Sequence, residues 1–202
     1  AGTLLLHPDY AWTVVTLTRG SDPDRAPRFR QATACYRATG IMGDLDDGPG
    51  QDPLHPHEVE QALLDLLPAR RYDLVLTHGL AGEYTRHRRH EEVARAVLAL
   101  RESGQLAMGA LWLFAYHDGG GRHPPRAVDD PDIRTVLPRE VWERKYEIIT
   151  GVYGFGPDSF EARATPREEA FRVIERRRAT AGRRETGCEG TMQIPILGET
   201  ER

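Results

Sequence analysis

Four short runs rich in aliphatic and β-branched residues, separated by stretches of helical periodicity, constrain the fold of this chain more than any other feature. The runs are Thr3–Leu6, Trp12–Leu17, Leu74–Thr77 and Met108–Tyr116. Strands that alternate with helices are typical of an α/β layer structure with a mainly parallel sheet. The sequence therefore predicts a Rossmann-like three-layer α/β fold. A length of 202 residues suits a single domain over residues 1–202, with a weakly patterned tail from about residue 179.

The apolar spacing and the terminal signals between these runs predict five helices and two extended loops. The last helix is predicted from the capping box that begins at Thr165 and ends at Glu168. The loops are rich in Gly, Pro and Asp, and the second is long enough to be functional or mobile. The predicted helices are Pro27–Thr39, Val59–Leu67, Glu91–Arg101, Arg139–Ile149 and Thr165–Arg178, and the predicted loops are Gly43–Pro56 and His117–Pro138.

The connection between the first two predicted strands is too short for a parallel pair. Only the five residues His7–Ala11 separate Leu6 from Trp12, whereas a parallel crossover takes about a dozen residues or more. This gap predicts that a helix-containing segment is missing between Asp9 and Tyr10. The alternative is an antiparallel pair, although the five residues carry no Gly-containing turn.

Composition narrows the class of partner. The chain has 27 Lys+Arg and 31 Asp+Glu, a formal net charge of −4, which argues against a function based on attraction to nucleic acid or to anionic lipid. The longest apolar stretch, Ala110–Tyr116, is far shorter than the roughly 20 residues of a membrane span. Cys35 and Cys188 are interpreted as reduced thiols of a cytoplasmic protein. The sequence is compatible with a homo-oligomer and does not define one.

Residues that bind metals or transfer protons follow three of the predicted strands. They are His7-Pro8-Asp9, the segment His78–His90 with its His87-x-x-His90 pair, and His117-Asp118. Reactive groups of parallel sheets gather beyond the carboxyl ends of the strands, so His7 and the His87/His90 pair can converge on one Zn²⁺ ion. Each motif alone has a simpler interpretation, which is a solvated basic turn for the pair and a hydrogen-bonded strand end for His7.

Together these motifs resemble those of the LmbE/PIG-L family of zinc-dependent N-acetylglucosaminyl deacetylases. The likeness extends over most of the chain up to about Phe171. The shared elements are His7-Pro8-Asp9, Val14–Gly20, Thr77-His78-Gly79 before Glu83-Tyr84, His87-x-x-His90, Arg28-x-x-Gln31 before Thr39-Gly40-Ile41, and Asp47-Gly48.

The resemblance implies a role for each matching residue. His7 and His90 match zinc ligands, Asp9 matches the general base, and His87 matches the histidine that assists the transition state. Arg28 and Asp47 are predicted to contact sugar hydroxyls, and the alternatives for them are a surface ion pair and a turn-forming aspartate.

Two departures from the family pattern affect this assignment. The family has a second, zinc-binding Asp after the first, where this chain has Tyr10, and many members have an acidic residue where this chain has Arg89. A segment missing after Asp9 would account for the first departure. If no segment is missing, Asp9 can serve as ligand or as base but hardly as both.

The resemblance implies a zinc-dependent hydrolase that removes an N-acyl group, normally acetyl, from a glucosamine-containing small molecule or glycoconjugate. The alternative is a non-catalytic sugar-binding or interaction module that keeps the fold and has lost a zinc ligand. A nucleotide-binding α/β protein is disfavoured, because no Gly-rich phosphate loop follows any predicted strand.

Overall fold

Helices and strands alternate along the first half of the chain, as the periodicity predicts. The computed structural model describes residues 1–48, 50, 52–82 and 87–175, and it is a mixed α/β structure that includes a parallel sheet. The elements in chain order are α1 (Gly2–Leu6), β1 (Thr13–Thr18), α2 (Arg25–Cys35), β2 (Thr39–Leu45), α3 (Pro56–Leu66), β3 (Tyr72–Thr77), α4 (Arg88–Glu102), β4 (Met108–Phe114), β5 (Tyr116–His117), β6 (Arg126–Ala127), β7 (Ile133–Val136), α5 (Arg139–Glu147), a π-helical turn (Ile148–Val152), α6 (Phe160–Arg163) and β8 (Glu168–Ile174).

The strands of the described residues form three sheets. β1 pairs with β2 in parallel, and β3 pairs with β4 in parallel within a four-stranded sheet of order β3-β4-β8-β7. The pairs β4/β8, β7/β8 and β5/β6 are antiparallel. Parallel pairing is therefore confirmed for the strands up to β4, while the later part of the chain adds antiparallel strands.

One hydrophobic core joins elements that are distant in sequence. Its buried side chains come from β1, α3, α4 and β4, and they include Leu17, Leu63, Leu100 and Leu111. β1 and β4 contribute to this core, and β3 pairs with β4, so that the last residue of β1, Thr18, and the residue after β3, His78, line one cavity. No helix in the described part of the chain is long and apolar enough to cross a membrane.

The predicted strand Thr3–Leu6 is wrong, because these residues lie in the helix α1. A four-residue apolar run carries too little periodicity to distinguish the two structures. In the fold the first-turn N–H groups of Gly2 and Thr3 donate to the Glu169 carboxylate, and these bonds stabilise a helix start. A helix at Gly2–Leu6 needs no crossover to β1, and the segment missing between Asp9 and Tyr10 stays a prediction.

The predicted helix Thr165–Arg178 is also wrong over its described part. The Thr165 hydroxyl does not cap a new helix but donates to the Glu161 carbonyl at 2.8 Å, at the end of α6. The residues from Glu168 onward then pair on both sides, with β4 and with β7. Tertiary pairing overrides the local capping signal here.

Other boundaries differ from the prediction in smaller ways. The predicted helix Pro27–Thr39 ends at Cys35, and β2 takes up Thr39 and extends to Leu45, inside what was predicted as a loop. The predicted loop His117–Pro138 contains β6 and β7. Cys35 is a free thiol, whereas Cys188 and the tail from residue 179 lie outside the described residues.

Candidate functional site

Three histidines meet where β3 ends and α4 begins. His78 follows β3, His87 is the N-cap residue of α4, and His90 lies in its first turn. The His78 and His90 rings stack with centroids 3.8 Å apart, and the His87 and His90 centroids are 4.5 Å apart. The i, i+3 spacing of the predicted pair therefore brings both rings to one side of the helix.

This histidine cluster, His78, His87 and His90, lines a cavity of about 340 Å³. The other walls come from the carboxyl half of β1, from the segment after β2, and from α3 and α4. Asp47 lies in the same wall, so the structure brings together three of the predicted site residues, Asp47, His87 and His90. Cavities that combine an apolar wall with a few polar groups are the usual places for small-molecule binding.

Arg89 holds one wall of this cavity in place. It stands at the position where many LmbE/PIG-L family members have an acidic residue. Its side chain is buried, and it donates to the carbonyls of Asp46 at 2.7 Å and Asp52 at 2.9 Å. It also forms an ion pair with Glu92 at 2.6 Å. A planar guanidinium can make several such bonds at once. Arg89 therefore fastens the segment around Asp47 to the start of α4.

The Asp47 carboxylate is held from the other side by Arg19. The Arg19 Nε atom lies 3.2 Å from Asp47 Oδ2, and its Nη2 donates to the Asp47 carbonyl at 3.2 Å. Arg19 adopts a left-handed backbone conformation with φ of 66°, immediately after β1. This turn places a cation beside the carboxylate and orients Asp47 in the cavity wall.

The electrostatics of the cluster favour the neutral imidazole at His87. Burial lowers the pKa of His87 and the neighbouring His90 lowers it further, while Asp47 acts in the opposite direction. The Nδ1 atoms of His87 and His90 are both buried. A neutral imidazole has one nitrogen that can accept a proton and one that can donate a hydrogen bond. The cluster can therefore take part in general acid–base chemistry.

The described residues do not complete a zinc site. A zinc ligand atom lies about 2.0–2.1 Å from the ion, with its lone pair in the ring plane. The His78 and His90 planes differ by only 9°, so these stacked rings cannot direct lone pairs to one point, whereas the His87 ring is tilted by 31° against His90. Among the residues that the structure describes, no three His, Cys, Asp or Glu side chains are grouped so that they could hold a metal ion.

The other predicted site residues lie apart from this cavity. His7 ends α1 on an exposed turn, where its ring stacks on Tyr10 at 4.9 Å and its carbonyl accepts a hydrogen bond from Trp12 Nε1. Asp9 is exposed on the same turn, and neither His7 nor Asp9 lines the cavity of the histidine cluster. Arg28 bonds to Asp24 and to the Tyr153 carbonyl. The zinc and base assignments of His7 and Asp9, and the sugar contact of Arg28, stay predictions.

Sequence reasoning assigned no role to two residues that shape the site. His78 directly follows β3, and its place after a strand was the available signal. Arg19 ends the Thr-Leu-Thr-Arg-Gly run, but its pairing with Asp47 joins residues 28 positions apart, which no local pattern reveals.

The fold resembles that of a solved enzyme. The 4-carboxy-2-hydroxymuconate hydratase GalB from Pseudomonas putida KT2440 matches with a TM-score of 0.53 and 18% sequence identity, over 89% of this chain and 91% of that chain. At this identity the likeness concerns the fold alone. No family model matches the sequence, and no curated protein matches it.

Proposed function

We propose that this chain is a hydrolase that removes an N-acyl group from a glucosamine-containing compound, and that the cavity of the histidine cluster is its active site. The observation that carries the proposal is the convergence of Asp47, His87 and His90 on one cavity. These are three of the residues that the sequence resemblance to the LmbE/PIG-L deacetylases selects. A Rossmann-like three-layer arrangement belongs to the same proposal.

The roles of the described residues follow from their positions. Amide hydrolysis requires a water oxygen to attack the acyl carbon, the C–N bond to break and a proton to reach the leaving amine. His87, a half-buried imidazole at the N-terminal end of α4, is proposed to donate a hydrogen bond to the oxygen that becomes negative in the transition state. Asp47, held by Arg19 and by the Arg89 anchor, is proposed to accept hydrogen bonds from the sugar hydroxyls.

Zn²⁺ enters this proposal as the cofactor that the resemblance implies. When bound, zinc polarises a carbonyl and lowers the pKa of a coordinated water toward about 7. The resemblance selects His90 as the zinc ligand within the histidine cluster. His7 is the second proposed ligand of the zinc ion. Asp9 is the proposed base. The described residues alone do not complete this metal site.

A second candidate function has its own supporting observation. The connection from His7 to Trp12 is a compact turn, in which Tyr10 N donates to the His7 carbonyl and Trp12 N donates to the Tyr10 carbonyl. A chain in which this turn replaces the second zinc-binding Asp is expected to bind the sugar without hydrolysing it. This candidate is a non-catalytic sugar-binding or interaction module of the same fold.

One experiment distinguishes the two functions. The purified chain is incubated with N-acetylglucosamine and its glycosides in the presence of Zn²⁺, and primary-amine release is measured alongside ligand binding by calorimetry. The hydrolase proposal predicts amine release that depends on enzyme concentration. Saturable binding of the sugar without any amine release would overturn it and establish the binding module.

A further inference from the structure

A second cavity, of about 600 Å³, lies on the other side of the histidine cluster. His87 and His90 line both this cavity and the first one. Five aromatic side chains form much of its remaining wall, and they come from β4, β5, the segment after the π-helical turn, and α6. They are Phe114, Tyr116, Tyr153, Phe155 and Phe160, and together they are called the aromatic cleft below.

The ionic groups deepest in this cleft are paired within the protein. Lys145 Nζ lies 2.9 Å from Glu169 Oε1, and both side chains are buried. Lys145 also donates to the Pro166 carbonyl. The Tyr116 hydroxyl donates to the Glu168 carbonyl at 3.0 Å. Because these polar groups bind one another or the backbone, the surface that the cleft presents to a ligand is mainly aromatic. Glu161, an exposed carboxylate, is also among the lining residues.

The aromatic segment is held in position by α2. Arg28 Nη1 donates to the Tyr153 carbonyl at 2.8 Å, and the Arg25 guanidinium lies 5.0 Å from the centre of the Phe155 ring. Gly154 has a φ of 77°, and a Cβ at this position would collide with the Arg28 guanidinium. A segment fixed in this way is preorganised, so little conformational entropy is lost when a ligand packs against it.

We infer that the aromatic cleft binds an apolar aryl or alkyl group of the substrate while the amide lies at His87. The inference rests on the proposed function and narrows it to N-acylglucosamine compounds that carry such a group. Continuity through His87 and His90 places the apolar group next to the reacting bond. The apolar group belongs either to the aglycone or to the acyl chain. In both cases, binding buries apolar surface of the ligand against aromatic rings.

Calorimetric affinities of matched ligands test this inference without requiring hydrolysis. The octyl and methyl β-glycosides of N-acetylglucosamine are compared, and so are N-octanoyl- and N-acetylglucosamine, all below the micelle-forming concentration. We expect one octyl or octanoyl compound to bind at least about tenfold more tightly than its short partner. The pair that shows the preference identifies the aglycone or the acyl chain. Equal affinities within both pairs would overturn the inference.

Two variants locate the preference in the cleft. Phe160 is 44% exposed, so Phe160→Ala should fold, and Phe155→Ala provides an independent truncation. Each is expected to reduce the octyl preference by about fivefold, whereas Val136→Ala, which removes an exposed apolar side chain on β7, should retain it. A preference that is unchanged in both Phe variants would overturn the placement.

These measurements fail separately from the proposed function. If the chain prefers octyl ligands and releases no amine, the result supports the ligand-binding role of the aromatic cleft and overturns the hydrolase proposal. If the chain releases amine and shows no octyl preference, the result supports the hydrolase proposal and overturns the role of the cleft.

Discussion

At the scale of single residues, the most consequential polar contact in the wall of the aromatic cleft is the buried ion pair of Lys145 and Glu169. The Glu169 carboxylate also accepts hydrogen bonds from the N–H groups of Gly2 and Thr3 and from the Thr3 hydroxyl. One side chain thereby links α1, α5 and β8. Removing one member of a buried pair leaves the other charge without compensation.

We expect Glu169→Gln to lower the free energy of unfolding by about 3 to 5 kcal/mol, because the Lys145 charge would then be buried beside a neutral amide. The matched control is Glu143→Gln, which breaks the exposed pair of Arg139 and Glu143 and should cost less than about 1 kcal/mol. Urea unfolding followed by circular dichroism measures both. Similar losses in the two variants would refute the importance assigned to the buried pair.

The same carboxylate predicts an acid-dependent stability. Burial raises the pKa of Glu169, but the amino group of Ala1 and the Lys145 ammonium lower it more, and its pKa is about 2 against an ordinary value of 4.5. The unfolded chain therefore binds more protons between these values, so stability falls as the pH is lowered from about 4.5 to 2. The free energy of unfolding, measured with urea at several pH values in this range, should change less steeply with pH for Glu169→Gln than for the wild type. An equal pH dependence in the two proteins would contradict the assignment.

At the scale of elements, the segment between the π-helical turn and α6 is fixed by backbone geometry. We expect Gly154→Ala to destabilise the protein by about 1 to 3 kcal/mol, since φ of 77° is unfavourable for alanine and the new methyl group would displace Arg28. Gly151→Ala is the control, because a Cβ at Gly151 meets nothing within 4 Å. Thermal unfolding compares the two variants, and an equal decrease in Tm would show that the glycine requirement is wrong.

Sequence reasoning succeeded where a local pattern determines the element and failed where contacts with distant residues determine it. The run Trp12–Leu17 and the helical spacing from Val59 correspond to β1 and α3, because several turns or alternations repeat the same signal. Thr3–Leu6 is too short to show a period. Thr165 carries a genuine capping signal, but β8 pairs on both sides, and strand pairing over more than 50 residues is not encoded locally.

The candidate site shows the same limit. The His87-x-x-His90 pair and Asp47 could be found from their motifs, and the structure places them around one cavity. Arg19 depends on a contact between distant elements, so the sequence did not assign it to the site, whereas His78 begins the candidate segment His78–His90 without an individual role. The position of His7 depends on whether residues 3–6 form a strand or a helix, and the structure has a helix.

At the scale of the whole molecule, ligand binding should be visible as stability, because an ion that binds only the folded state shifts the unfolding equilibrium. If Zn²⁺ binds at His90, a hundredfold excess over its Kd should raise the Tm of the wild type by about 5 to 10 °C. The shift should vanish in His90→Ala and persist in His57→Ala, whose side chain is exposed on α3. A full shift in His90→Ala would show that the metal is held elsewhere.

If the histidine cluster performs amide hydrolysis, the steady-state rate of amine release from an N-acylglucosamine compound depends on His87. We expect His87→Ala to lower kcat/KM by at least about a hundredfold, with His57→Ala within twofold of the wild type. A His87→Ala enzyme that is folded and releases amine at the wild-type rate would contradict it.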